Sequence, residues 1–133
     1  MHGVNRMKFN HIGIACDDIN KKLEFIKSVY EILNISEIIY DPEQNVELCF
    51  VETSDNIVLE LVAGETVKTF CKKNQPFYHI CYEVENLEDQ LSKLIFNNCL
   101  QISVAKPAIA FNNRKVVFVH TPIGLIELLE EKK

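Results

Sequence analysis

Two histidines and two glutamates interrupt otherwise apolar stretches of the chain. Glu60 stands in Ile57-Val58-Leu59-Glu60-Leu61-Val62, and Glu127 in Leu125-Ile126-Glu127-Leu128-Leu129. His11 and His79 stand in Phe9-Asn10-His11-Ile12 and Phe77-Tyr78-His79-Ile80. Taken singly, each has a plain reading: a glutamate facing solvent from a one-sided sheet, or a half-buried, hydrogen-bonded histidine. An isolated carboxylate in such a strand is costly to bury unless it is paired or binds a metal. The spacing favours reading them as a set, because Glu60 follows His11 by 49 residues and Glu127 follows His79 by 48. Imidazole nitrogen with carboxylate oxygen is competent for a divalent first-row metal. Four such ligands leave an octahedral ion open to a substrate with two adjacent oxygens.

The elements that must position these residues follow from an internal repeat. Sliding the chain by 68 residues places Phe9-Asn10-His11-Ile12 on Phe77-Tyr78-His79-Ile80, and Phe50-Val51-Glu52-Thr53 on Phe118-Val119-His120-Thr121. After a slip of one residue, Val58-Leu59-Glu60-Leu61-Val62 falls on Leu125-Ile126-Glu127-Leu128-Leu129. Each half reads βαβββ. In the first, a strand over Lys8–Cys16 is followed by an N-cap at Asp17 or Asp18. Ile19, Leu23, Ile26, Tyr30 and Leu33 then recur at helical spacing, before strands over Ile35–Tyr40, Val46–Glu52 and Asn56–Ala63. The second half repeats this with Phe77–Val84, a helix from Leu87 capped by Asn86, and strands over Gln101–Ala105, Arg114–His120 and Gly124–Leu129. The expected division is a tag or disordered N-terminus at 1–6, a first module at 7–65, a connector at 66–76 with one helical turn, and a second module at 77–133. One such module is too small to bury a core alone, and a pseudo-two-fold relation between the two would gather both His and both Glu.

Composition bounds the function classes. The chain has 133 residues, 47% hydrophobic and 25% charged, which describes an ordinary globular protein. A formal net charge of −5 with no basic stripe argues against nucleic acid and against an anionic membrane surface. No apolar run reaches the roughly 18 residues of a membrane span. Five cysteines without CxxC spacing read as reduced thiols of a cytoplasmic protein. No P-loop, nucleophile elbow or dinucleotide fingerprint is present.

Asn10-His11-Ile12-Gly13-Ile14, Leu59-Glu60-Leu61, Tyr78-His79-Ile80-Cys81-Tyr82-Glu83-Val84 and Gly124-Leu125-Ile126-Glu127-Leu128 together resemble the vicinal oxygen chelate superfamily. That group includes glyoxalase I, methylmalonyl-CoA epimerase, extradiol dioxygenases and antibiotic-resistance proteins. The resemblance runs from Lys8 to Glu130. It implies an α+β fold of two βαβββ repeats forming an open, cupped mixed sheet, with His11, Glu60, His79 and Glu127 as metal ligands. It also implies a homodimer. Asp41-Pro42-Glu43 with the strand after it resembles short bacterial glyoxalases I, whereas the Tyr78–Val84 segment is closer to the epimerases. Glu47 lies one position from an additional catalytic glutamate of some epimerases. The arginine with which glyoxalases hold glutathione carboxylates is matched here by Ala15, leaving Arg114, Lys115 or Lys106 as substitutes.

The function expected from this resemblance is glyoxalase I (lactoylglutathione lyase), isomerising the hemithioacetal of methylglyoxal and glutathione to S-lactoylglutathione. The metal would be Ni²⁺ or Co²⁺, with Zn²⁺ the other candidate, acting as a Lewis acid toward the enediolate. Glu127 is expected as the base, with Glu60 its pseudo-symmetric partner. The alternative is a methylmalonyl-CoA epimerase on the same metal set, and a third reading is a non-catalytic small-molecule-binding protein.

Overall fold

A computed structural model describes residues 6–132, so of the segment 1–6 set apart above all but Arg6 lies outside the described residues. The chain divides into two units, His11–Tyr78 and His79 onward together with the N-terminal residues through Asn10. The first strand, β1 (Met7–Cys16), therefore contributes its first residues to one unit and His11–Cys16 to the other.

In the unit His11–Tyr78, β1 leads into α1 (Ile19–Val29). Asp18 caps this helix, its side chain accepting the Lys21 N–H at 3.2 Å. Ile19, Leu23 and Ile26 form its buried stripe. The helix ends before the expected Tyr30 and Leu33: Tyr30 is extended at the C-cap, and Leu33 is an exposed residue of β2 (Ile32–Ile35). Then come β3 (Ile39–Asp41), β4 (Val46–Thr53) and β5 (Val58–Ala63), in the spatial order β2-β4-β5-β1 with β3 also on β4. β1 and β5 are parallel, and β4 and β5 antiparallel. Ile14, Cys16 and Leu61 pack on the helix stripe with Cys49 and Val51 as the core. The connector holds a 3-10 turn (Glu65–Val67) and α2 (Lys68–Lys72), two short helical pieces where one turn was expected.

The second unit follows the same plan. β6 (Phe77–Val84) leads into α3 (Leu87–Phe96), whose N-cap Asn86 accepts the Asp89 N–H at 3.0 Å. β7 (Leu100–Gln101), β8 (Lys106–Ala108), β9 (Arg114–Thr121) and β10 (Gly124–Glu130) complete it, ordered β6-β10-β9-β7 with β8 on β9. β6 and β10 are parallel. Val84, Leu87, Leu91, Val117, Val119, Ile126 and Leu128 form the core under α3.

The fold is α+β, with ten strands of open, mixed sheet, as the sequence implied. In each unit the strand after the helix is broken in two, so Ile35–Tyr40 and Gln101–Ala105 are not continuous strands. A serine sits at each break and takes over an acceptor's place in the ladder. The Ser36 hydroxyl accepts the Phe50 N–H at 2.8 Å and the Ser103 hydroxyl accepts the Phe118 N–H at 2.9 Å. Side-chain acceptors of this kind compete with backbone pairing and end it locally.

Candidate functional site

The four residues picked out by type and spacing lie on β1, β5, β6 and β10. In the first unit Glu60 is in register with Gly13, two residues beyond His11 on the parallel neighbour. In the second, Glu127 is in register with Cys81, again two residues beyond the histidine. Side chains two apart on a strand share a face, so both pairs meet in the same way. His11 Nε2 lies 3.2 Å from Glu60 Oε1, and His79 Nε2 lies 3.2 Å from Glu127 Oε1. The difference between 49 and 48 residues comes from the hairpins: Phe50 opposes Glu60, but Phe118 opposes Glu127 across a turn one residue shorter.

Burial decides against the plainer readings. The glutamates do not face solvent and the histidines are not half-exposed: His11, Glu60, His79 and Glu127 are 0%, 4%, 4% and 2% exposed. A carboxylate so placed needs a positive partner or a metal to offset the loss of water. Phenylalanines complete each arrangement. The Phe50 ring stands edge-on to the His11 imidazole at 6.0 Å, and Phe118 to His79 at 5.3 Å. The repeat had marked both phenylalanines as equivalent, yet nothing in their chemistry marked them as neighbours of histidine.

Imidazole nitrogen beside carboxylate oxygen, dry and held by sheet registers, fits a divalent ion. Each unit thus offers one imidazole nitrogen and one carboxylate oxygen as candidate donors. Other candidates do not join them. Glu47 is exposed, and strand alternation turns it away from the face of Phe50 and Glu60. The neighbouring Leu48 takes the inward position. Asp41 is fully buried as a turn cap, its Oδ1 accepting the Glu43 and Gln44 N–H groups at 2.9 and 3.3 Å, so Asp41-Pro42-Glu43 shapes the β3–β4 hairpin. His120 is exposed at the end of its strand. Tyr78 is buried against Phe70, their ring centroids 4.8 Å apart, and Tyr82 meets Phe9 edge-on at 6.5 Å.

Arg114 is bound within its own unit: Nη1 donates to Glu83 Oε2 and to the Glu130 carbonyl, each at 3.2 Å, and Nε to the Phe111 carbonyl at 3.2 Å. Asn10 Nδ2 donates to the other Glu83 oxygen at 3.0 Å. This half-buried set went unnoticed in the sequence because its members are far apart along the chain. It leaves Arg114 a structural partner of Glu83, and Lys106 and Lys115 are exposed. Ala15, 3% exposed, carries no charge, so the matched position on β1 supplies no cation for a peptide carboxylate.

All five cysteines are free. Burial pushes the Cys16 thiol up to about 11, and the Cys49 and Cys71 thiols are also raised by burial. None of these three is poised as a thiolate nucleophile.

Comparison with known proteins adds three findings. The family model described as Glyoxalase/Bleomycin resistance protein/Dioxygenase superfamily matches residues 10–118. The mitochondrial methylmalonyl-CoA epimerase of Homo sapiens is 27% identical over 121 residues, 87% of this chain and 68% of its own length, and that of Bos taurus is 26% identical over the same span. A crystal structure of methylmalonyl-CoA epimerase from Mycobacterium tuberculosis superposes with a TM-score of 0.76 at 18% identity, covering 95% of this chain and 89% of that one. These relatives correct the expectation of glyoxalase I. The lactoylglutathione lyase activity, glutathione as the thiol and methylglyoxal detoxification are withdrawn, because the curated relatives are named as epimerases. The want of a cation at Ala15 and the engagement of Arg114 with Glu83 agree physically.

Proposed function

We propose, for a chain that belongs to the glyoxalase/bleomycin resistance protein/dioxygenase superfamily, that it is a metal-dependent epimerase of an acyl-CoA thioester, with methylmalonyl-CoA the substrate suggested by its relatives' names. Members of this superfamily act on small molecules and bind a divalent metal. The observation that carries the reading is the twice-built, buried His–Glu pair at 3.2 Å. His11, Glu60, His79 and Glu127 are assigned as ligands of one ion. A bound divalent ion supplies Lewis acidity for charge that develops on the substrate's carbonyl oxygens.

The chain's own residues carry the proton. Epimerisation breaks the C–H bond at the carbon between thioester and carboxylate, and its electron pair moves onto the thioester carbonyl. The proton must then return to the opposite face of the same carbon. That requires two bases. Glu127 and Glu60 are assigned to these roles, one for each face, because the two βαβββ units present equivalent carboxylates. His11 and His79 hold position, each braced by its phenylalanine. Nickel, cobalt and zinc all suit this nitrogen and oxygen set. Five free thiols suit a reducing compartment such as the cytoplasm. A homodimer is part of the proposal.

The test is exchange of the substrate α-proton with deuterium from solvent, followed by NMR, on metal-loaded protein with (2R)- and (2S)-methylmalonyl-CoA. Exchange and interconversion of the two are expected. A fully loaded protein that exchanges neither would sink the reading.

A further inference from the structure

A groove of about 560 Å³ opens on the unit His11–Tyr78, lined by Ile14 and Leu59 together with Phe25, Tyr30 and Phe77. Ile14 belongs to the core on the helix side of the sheet, with Leu59 packed against that core. Strand alternation therefore puts the groove on the face opposite His11 and Glu60. It is not part of the substrate site proposed above.

Its surroundings have two properties. Large apolar side chains stand out of it: Phe77 is 74% exposed, Phe25 58% and Tyr30 49%. The rim also carries both signs of charge, Asp17 and Asp18 beside Lys21 and Lys22. One surface thus offers a hollow and the side chains to fill a hollow, together with acids and the bases to meet them. Such a surface complements a copy of itself turned through a two-fold axis.

We propose that this face is where a second copy of the chain docks, Phe77 and Phe25 of each entering the groove of the other and Lys21 and Lys22 of each facing the partner's Asp17. The inference rests on the homodimer included under the proposed function and names its surface. A stable pair takes about 800 Å² from each partner. Aromatic side chains carry ~150–250 Å² each, and Phe77, Phe25 and Tyr30 still expose half to three-quarters of theirs for the apolar centre. A small anionic ligand would meet Asp17 and Asp18 as well as the lysines, which favours an occupant bearing both charges.

Sedimentation equilibrium of the full, metal-loaded chain tests this, with circular dichroism and bound metal as checks of fold. The wild type is expected to be a dimer. K21E/K22E turns the rim wholly acidic while adding negative charge to the first turns of α1, where a helix tolerates it. It is expected to weaken association at least tenfold, as is D17K. Mixing the two in equal amounts is expected to restore a dimer containing one of each. Phe77→Asp is expected to give monomers with native spectra and metal content. A wild-type dimer unaffected by all three variants overturns this surface and leaves the homodimer standing. A monomeric wild type overturns both, and in that case loss of an apolar dye's binding on Phe77→Asp would assign the groove to a small molecule instead.

Discussion

A glutamate 2% exposed between Ile126 and Leu128 is an expensive residue to keep in a strand, and Glu60 repeats the expense in the other unit. The cost is reduced by the histidine two positions along the neighbouring strand and, on the proposal made here, by a metal ion. Glu127→Gln keeps an oxygen donor but cannot take a proton. It is expected to retain measurable metal affinity by calorimetry while interconversion of the two epimers falls by about 10²–10⁴-fold, with Glu60 still exchanging the proton on its own face. Near-native interconversion by this variant would remove Glu127 from the role of base. His11→Ala is expected to lose metal affinity and activity together, and to lower the stability of the stripped protein by about 3–5 kcal/mol in urea unfolding, since Glu60 would then be buried without its histidine. At this scale the two buried His–Glu pairs were legible. A charged residue inside an apolar run is a local signal, and the repeat turned four such signals into a set. Phe50 and Phe118 were not legible as parts of the site, because ring-on-imidazole packing leaves no mark on residue type.

The elements carry these side chains through register. Both pairs depend on a parallel strand pair in which the glutamate lies opposite the residue two beyond the histidine. A shift of one residue would turn the glutamate to the helix side. The hairpins set β4 on β5 and β9 on β10, and the serines at the strand breaks accept the N–H groups of Phe50 and Phe118 on β4 and β9. Ser103→Ala removes the acceptor of the Phe118 N–H beside His79, and a loss of about 1–3 kcal/mol is expected by urea unfolding. Ser103→Thr, which keeps the hydroxyl, is expected to recover most of it. The turns use asparagine where many chains use glycine. Among the described residues every non-glycine with positive φ is an asparagine, at 45, 56, 74, 98, 112 and 113. Asparagine enters the left-handed region more readily than other side chains, which suits a chain with only four glycines. Gly64 is a position asparagine could not fill, since a Cβ there would lie 2.8 Å from the Asn45 carbonyl oxygen. Helix starts were readable at this scale because Asp18 and Asn86 are caps at equivalent places. The end of α1 was not, because Tyr30 and Leu33 continue the helical spacing while belonging to the turn and the edge strand that follow.

For the molecule as a whole, two measurements bear on stability. Divalent metal at a hundred times its dissociation constant is expected to stabilise the folded chain by about 2.7 kcal/mol, provided the unfolded chain does not bind it. A thermal melt of stripped against reloaded protein reads this directly, and no shift would argue against a resident ion. The second concerns Cys16, whose thiol burial raises from 9.0 to about 11. The unfolded chain ionises this thiol first as pH rises. Its contribution is therefore intact below pH 9 and lost progressively toward pH 11, by about 2 kcal/mol. Cys16→Ala is expected to flatten the pH dependence of urea stability in that window. Among the described residues no helix is long and apolar enough to cross a membrane. The sequence by itself determined the repeated βαβββ plan and the family, and it singled out the four buried polar residues proposed for the site, because each leaves a periodic or repeated trace along the chain. Only the tertiary structure decided which face each strand presents: that Glu47 turns outward and Leu48 inward, that Asp41 caps a turn, and that Arg114 is held by Glu83. Pairing partners and strand breaks are set by contacts between residues distant in sequence, and no local pattern records which of two neighbouring positions a sheet will bury.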